Sequence, residues 1–310
     1  MTPSIARCAL TALFLLIYAP TLLGQNKPAI EYHSLMQLNF YENSGGFLVD
    51  NLEIVFPPAG LQKATFIISR AGGATVSSVP LRLDEPTLNN FTAFGMFRPD
   101  AVSGIANIGE PGDYVMSIQI DGKSITSFPF TLKREASTDP FNPKTTFIRE
   151  GPWRDLAFFS VKSGDAESHL EFCWWTSLRD LPPGTKNPMV TLHLMLGAQE
   201  IAATRSPVVI TQSDWQYFHQ ELVLPATPVR WMNLPDLTKR DGSYLLVAKA
   251  NGQVFKRYKL EVKGGQVQRL PRNSLEFEPH TDFISPKLVD TKTSSAYTLR
   301  DIFWMTRVAK

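Results

Sequence analysis

Three residues in the second half of the chain carry side chains that could bind a metal ion or move a proton. His193 and His219 lie in strand-like segments, and Glu221 follows His219 at the spacing that shares one face of a strand. Imidazole and carboxylate groups are zinc ligands and also general acids and bases. A zinc site needs three or four converging ligands, and half-buried strand histidines commonly show the same spacing. We therefore predict no metal, and keep a metal-dependent or hydrolytic enzyme with a dispersed site as an alternative function.

Tryptophan is unevenly distributed along the chain, because all six tryptophans occur from residue 153 onwards, in the second half or the C-terminal tail. In SDWQYFHQELVL, residues 213–224, strand alternation places Trp215, Tyr217 and His219 on one face. An exposed face of this kind could stack on a sugar ring or hold a protein partner, since aromatic residues are enriched in interface cores. The other interpretation is that Trp215 and Tyr217 belong to the core. These three residues and Trp231 are the candidate ligand-binding residues.

Local motifs of the common enzyme classes do not occur beyond residue 24. We find no GxSxG, HExxH, GxGxxG, P-loop, CxxC or SxxK pattern. Cys173 is the only cysteine in that part and lies in an apolar run, so we expect a buried small hydrophobe and no intramolecular disulfide. We assign no catalytic residue and no cofactor, and we predict a non-enzymatic protein.

The elements that would position these residues are β-strands in two similar halves. Residues 112–133 and 242–263 align without a gap at an offset of 130, and each reads as two apolar runs joined by Asp-Gly or Asn-Gly. These dipeptides favour the tight turn of a β-hairpin. A second strand-turn-strand unit, 64–83, is repeated at 190–210 with a shift of about four residues relative to the hairpins. The matched residues, which we interpret as scaffold, are Gly112 with Gly242, Tyr114 with Tyr244, and Gly122 with Gly252.

The Gly-x-Tyr at the start of each hairpin resembles the tyrosine corner of immunoglobulin-like sandwiches, most visibly in Asp241-Gly242-Ser243-Tyr244. In that family the tyrosine hydroxyl bonds to upstream backbone, and a cysteine follows two residues later. Met116 and Leu246 stand at the cysteine position here. The resemblance is therefore to a disulfide-free immunoglobulin-like or fibronectin III-like sandwich, with the hairpins as strands F and G.

The predicted fold class is all-β, with two tandem immunoglobulin-like β-sandwiches of about seven strands each. Arg7 and the apolar run that follows it are typical of an export signal, so we expect an extracellular or periplasmic protein. The pattern of the last residues predicts a short amphipathic helix that docks on a domain or a partner. The predicted segments are a signal peptide at 1–24, domain 1 at 30–134, a linker at 135–145, domain 2 at 146–264 and a C-terminal extension at 265–310.

The net charge and the hydropathy of the chain limit the kinds of partner that we expect. The formal net charge is +2 at pH 7, without the strongly basic face that nucleic acid requires. No segment after residue 24 approaches the roughly 20 apolar residues that span a bilayer, so we predict no transmembrane segment in the mature chain. Asn90 begins a sequon that matters only if the host glycosylates exported proteins.

The main functional hypothesis is a binding or scaffold protein that recognises another protein through domain 2 and the C-terminal extension, with edge-strand addition as one mode. The partner itself is unknown, and a glycan is the other kind of partner that the aromatic residues suggest. A carbohydrate-binding module that uses the aromatic platform is therefore the second alternative.

Overall fold

The computed structural model describes most of residues 29–308. The described residues are 29–30, 38–49, 52–56, 63–83, 87–88, 93–99, 104–120, 122–136, 141, 145–162, 166–211, 214–268, 287–290 and 298–308. The predicted signal peptide, Asn90 and most of the C-terminal extension lie outside them. Among the described residues no helix is long and apolar enough to cross a membrane.

The fold is all-β, with antiparallel sheets throughout. The first sheet contains β1 (Ala29–Ile30), β4 (Leu52–Phe56), β5 (Lys63–Arg70), β6 (Thr75–Leu83), β7 (Thr87–Leu88), β8 (Ala93–Pro99), β10 (Gly112–Ile120), β11 (Lys123–Ala136) and β12 (Thr145–Glu150). A small sheet contains β2 (Asn39–Tyr41), β3 (Gly46–Leu48) and β9 (Ile105–Ala106).

The second sheet holds the strands of the later half. Its members are β13 (Ala157–Lys162), β14 (Glu171–Thr176), β15 (Met189–Leu196), β16 (Gln199–Thr204), β17 (Val208–Val209), β18 (Gln216–Leu224), β19 (Arg230–Trp231), β20 (Gly242–Ala250), β21 (Gln253–Lys263), β22 (Gln266–Val267), β23 (Lys287–Asp290), β24 (Thr298–Trp304) and β25 (Thr306–Arg307). Short 3₁₀ helices at Pro152–Asp155 and Leu178–Asp180 and the α-helix α1 at Leu234–Thr238 connect strands.

The two halves repeat one strand order. The first sheet contains β4-β8-β6-β5-β10-β11, and the second contains β14-β18-β16-β15-β20-β21. In the late hairpin of each half, β10/β11 and β20/β21, Gly112 pairs with Leu132 and Gly242 pairs with Val262. The register therefore repeats at the offset of 130 residues. The early hairpin of each half, β5/β6 and β15/β16, repeats at an offset of 126 residues, as the shift of about four residues in the sequence predicts. The repeat in the sequence is thus a repeat of backbone pairing.

The Gly-x-Tyr motifs form the same contact twice. The Tyr114 hydroxyl donates to the Glu110 carbonyl oxygen at 2.7 Å, and the Tyr244 hydroxyl donates to the Arg240 carbonyl oxygen at 2.9 Å. The glycine two residues earlier has a φ of 150° in both halves, a conformation that other residues rarely adopt. The predicted tyrosine-to-backbone bond is therefore present in each half.

Residues 298–304 and 306–307 form strands, so the prediction of a terminal helix is wrong. β24 pairs with β13, the Met305 N–H donates to the Ala157 carbonyl oxygen, and β25 pairs with β21. Phe303 and Met305 are buried in the core of the second half, while Trp304 between them packs against the other core cluster. Apolar surroundings on both faces, together with the open edge of β13, favour a strand over an amphipathic helix. The predicted docking on a domain does occur.

The core extends across the junction between the halves. One cluster combines the core of the first half with Trp153, Cys173, Trp175 and Trp215, and a second cluster fills the later half. The Trp153 ring stacks on Phe128 with centroids 4.9 Å apart. β12 pairs with β11, so the segment after the proline-rich residues extends the first sheet. The domain limits given above remain a prediction.

Candidate binding face

Trp215 belongs to the core, in agreement with the second of the two interpretations of the strand alternation, so it is wrong as a candidate ligand-binding residue of an exposed platform. It is 6% exposed, and its Nε1 donates to the Arg149 carbonyl oxygen at 3.1 Å. The Lys256 ammonium lies 5.0 Å from its ring centroid. Strand alternation identifies which residues share a face, but the burial of that face depends on what packs against it. Here Trp215 packs against the core of the first half.

Beyond Trp215, the same face of β18 is directed towards solvent. Tyr217, His219 and Glu221 alternate along β18, and His219 is exposed. The Tyr217 ring lies 4.9 Å from the Trp175 ring and 6.3 Å from His219, with which it stacks. Tyr217 is therefore anchored by the core, whereas His219 and Glu221 remain accessible.

Trp231 joins this face from the neighbouring strand. It pairs with Val223, which shares the outward face of β18. His169 lies 5.6 Å from the Trp231 ring, and its Nδ1 is 2.9 Å from the Glu221 carboxylate. The Arg205 guanidinium lies 5.9 Å from the Trp231 ring. We call His169, Arg205, Tyr217, His219, Glu221 and Trp231 the β18 face.

Sequence reasoning missed two members of the β18 face. His169 is brought to Glu221 by a bridge between His169 and Asn233, and Arg205 follows the end of β16. Neither has a local spacing relationship to Trp231 or Glu221. Only the order of strands in the sheet could have indicated them.

The three residues considered for a metal site are not brought together. β16 separates β15, which carries His193, from β18, which carries His219. His193 binds Glu200, and Glu221 binds His169. Within the described ranges no group of three or more His, Cys, Asp or Glu side chains is placed to hold a metal ion.

Two buried ion pairs lie beside Trp215. The Arg149 guanidinium is 2.8 Å from the Asp214 carboxylate, and Lys256 Nζ is 2.5 Å from Asp180. Lys256 also donates to the Trp175 carbonyl oxygen at 2.8 Å. Burial lowers the pKa of Lys256 to about 8. These contacts hold β14, β21 and the two halves in one arrangement.

Comparison with known proteins finds no relative: no family model, no curated protein and no solved structure matches this chain. The functional conclusion therefore depends on the geometry of the chain itself.

Proposed function

We propose that this chain is an exported binding protein of two immunoglobulin-like β-sandwiches, which recognises a protein partner through the β18 face. The observation that carries the proposal is the accessible contact of His169 with both Trp231 and Glu221, beside Arg205, His219 and Tyr217. Tryptophan, tyrosine and arginine are the residues most enriched among binding hot spots.

The immunoglobulin-like assignment is supported by topology. Immunoglobulin sandwiches place strand C beside F and F beside G, with the tyrosine corner at the start of F. The orders β5-β10-β11 and β15-β20-β21 match this arrangement, and Tyr114 and Tyr244 stand at the expected place. Such sandwiches are rigid carriers, and the binding role comes from the surface they display.

A protein partner fits the β18 face better than a sugar does. The glycan alternative depended on a platform of Trp215 and Tyr217, and Trp215 is buried. The Trp231 ring is already in contact with an imidazole and a guanidinium, which reduces the open ring area for stacking on a pyranose. Charged and aromatic groups side by side suit a polar protein surface.

The C-terminal extension is not needed for this proposal. Residues 298–307 pair with β13, β21 and β23 of the same chain, and β25 covers the edge of β21 at Tyr258 and Lys259. Edge-strand addition at that position would require displacing the chain's own strand.

Photo-cross-linking in the native host tests the proposal. A photoreactive phenylalanine analogue replaces His219, and matched controls carry it at Val76 or Val209, which are 38% and 52% exposed and lie on strands that do not pair with β18. We expect a discrete protein adduct from position 219, absent from both controls and lost when Trp231→Ala is added. Equal adducts from all three positions, no adduct, or an adduct that stains as carbohydrate would overturn the proposal.

The proposed export of the chain is tested by a separate experiment. N-terminal sequencing of protein recovered outside the cytoplasm should start near Gln25. A chain that retains residues 1–24 and stays in the cytoplasm would contradict export without bearing on the β18 face.

A further inference from the structure

The outward face of the β15/β16 hairpin carries a hydroxyl, an imidazole and a carboxylate joined in series. Thr191 Oγ1 is 3.0 Å from His193 Nε2, and His193 Nδ1 is 2.8 Å from Glu200 Oε2. A carboxylate only accepts, so Nδ1 donates to Glu200, and Nε2 of the neutral imidazole then accepts from the Thr191 hydroxyl. This is the order of groups that activates a hydroxyl as a nucleophile.

A β-bulge places Glu200 on this face. Leu194 pairs with Ala202 and Met195 with Glu200, so Ile201 is an extra residue in β16. Ile201 is buried at 8% exposure, whereas the Glu200 side chain is 47% exposed. Strict alternation from Ala203, which pairs with His193, would have turned Glu200 towards the core. The bulge therefore re-aims the carboxylate towards the imidazole.

The first half contains the same backbone without the same chemistry. The β5/β6 hairpin has a register shift at Ile68/Ser69, and Thr75 pairs with Ser69 as Glu200 pairs with Met195. At the offset of 126, Thr65 and Ile67 correspond to Thr191 and His193. The fold thus keeps the bulge without a histidine or a glutamate, and the hydrogen-bonded series is not required by the scaffold.

A cation lies opposite the hydroxyl. Lys249 on β20 pairs directly with Thr191, and cross-strand partners in an antiparallel sheet share one face. In the first half the residue opposite Thr65 is Gln119. A lysine beside the nucleophile can stabilise the negative charge that develops on a carbonyl oxygen during acyl transfer.

We propose that Thr191 is a nucleophile activated by His193, and that this face transfers acyl groups from small activated esters to water. Thr191 Oγ1 bonds to the ester carbonyl carbon while its proton passes to His193 Nε2. The imidazolium gives this proton to the leaving alcohol as the carbon–oxygen bond breaks, which leaves the acyl group on Thr191. Water then bonds to the same carbon and gives a proton to His193, and this proton returns to Thr191 Oγ1 as the carboxylic acid leaves.

The full chain without its predicted signal peptide tests this with p-nitrophenyl acetate. We expect p-nitrophenolate release, and an acetyl group on Thr191 in peptides analysed by mass spectrometry after rapid acid quenching. General-base catalysis contributes roughly 10²–10⁴-fold, so Thr191→Val and His193→Asn should each lower the rate at least about tenfold. Thr65→Val, the matched control in the first half, should leave the rate unchanged.

Glu200→Gln is a second variant at an exposed position, chosen because it leaves the core untouched. It should lower the rate while the circular dichroism spectrum and the thermal midpoint stay at the wild-type values. Equal rates for wild type and Thr191→Val would overturn the proposal, as would acetylation confined to Lys249. The proposal is independent of the β18 face, and neither result bears on partner binding.

Discussion

Tyr114 and Tyr244 occupy one place in the two halves: each hydroxyl donates to a carbonyl oxygen four residues upstream, at 2.7 and 2.9 Å. Both side chains are 1% exposed. Burial raises the pKa of both phenols, so the hydroxyls remain protonated donors at neutral pH. The contact ties the start of the late hairpin to the loop before it.

Removal of either hydroxyl should lower stability by a similar amount. Tyr114→Phe and Tyr244→Phe each delete one hydrogen bond, which costs about 1 kcal/mol in the free energy of unfolding. The two tyrosines lie in separate core clusters, so the double variant should lose about 2 kcal/mol. Urea denaturation measures both values. Tyr41→Phe, at a side chain that is 42% exposed, is the control and should change nothing measurable.

These hairpins show what the sequence could predict. Asn251-Gly252 and the glycines before each tyrosine are local signals, because they correspond to backbone conformations that few other residues adopt. The offset of 130 therefore predicted register as well as strand positions.

The features that the sequence did not predict depend on packing between residues far apart in the chain. Alternation placed Trp215, Tyr217 and His219 on one face, but the position of the first half decided that Trp215 is buried and His219 exposed. The His169 to Glu221 contact joins residues 52 apart and has no local signal. The prediction of a terminal helix is wrong because a short apolar run fits both the helical and the strand period, and only its neighbours in the fold decide between them.

Loss of the Arg149 side chain should destabilise the junction strongly. Arg149 is 3% exposed, pairs with Asp214 and donates to the Leu38 carbonyl oxygen at 3.1 Å. Arg149→Ala leaves the Asp214 carboxylate without its partner in a largely buried site, a change that costs about 3–5 kcal/mol. Guanidinium denaturation measures the loss.

Arg179→Ala is the matched control for this experiment. Arg179 pairs with Glu135 at 3.0 Å, but both side chains are well exposed, so the loss should stay below about 1 kcal/mol. Equal effects of the two arginine variants would show that the junction does not depend on the buried pair.

Stability should rise between pH 8 and pH 10 because of Lys256. Burial lowers its folded pKa to about 8, below the unfolded value of 10.5, so the folded state binds fewer protons in this window. The free energy of unfolding should then increase by about 2 kcal/mol from pH 8 to pH 10, and this gain is lost as the pH falls back from 10 to the folded pKa of about 8. Above pH 10 the raised pKa of the buried Tyr258 acts in the opposite direction.

Urea denaturation at a series of pH values checks this rise. Replacement of the pair by Lys256→Met with Asp180→Asn removes the titrating lysine without leaving a buried lone charge. The double variant should show a flat profile between pH 8 and pH 10. A rise of unchanged size in that variant would assign the effect to another group.

The terminal strand should be required for the stability of the second half. Met305 is 1% exposed in its core, and its N–H donates to the Ala157 carbonyl oxygen. Met305→Ala creates a core cavity and should cost about 2–5 kcal/mol, whereas Thr306→Ala at the exposed neighbouring position should cost little.

A chain that ends at residue 297 would leave β13 and the adjoining part of β21 as open edges, so it should sediment as a larger species than the full chain does. A truncated chain that sediments as the full chain does, with unchanged unfolding, would show that the terminal strand contributes nothing to the stability of the second half.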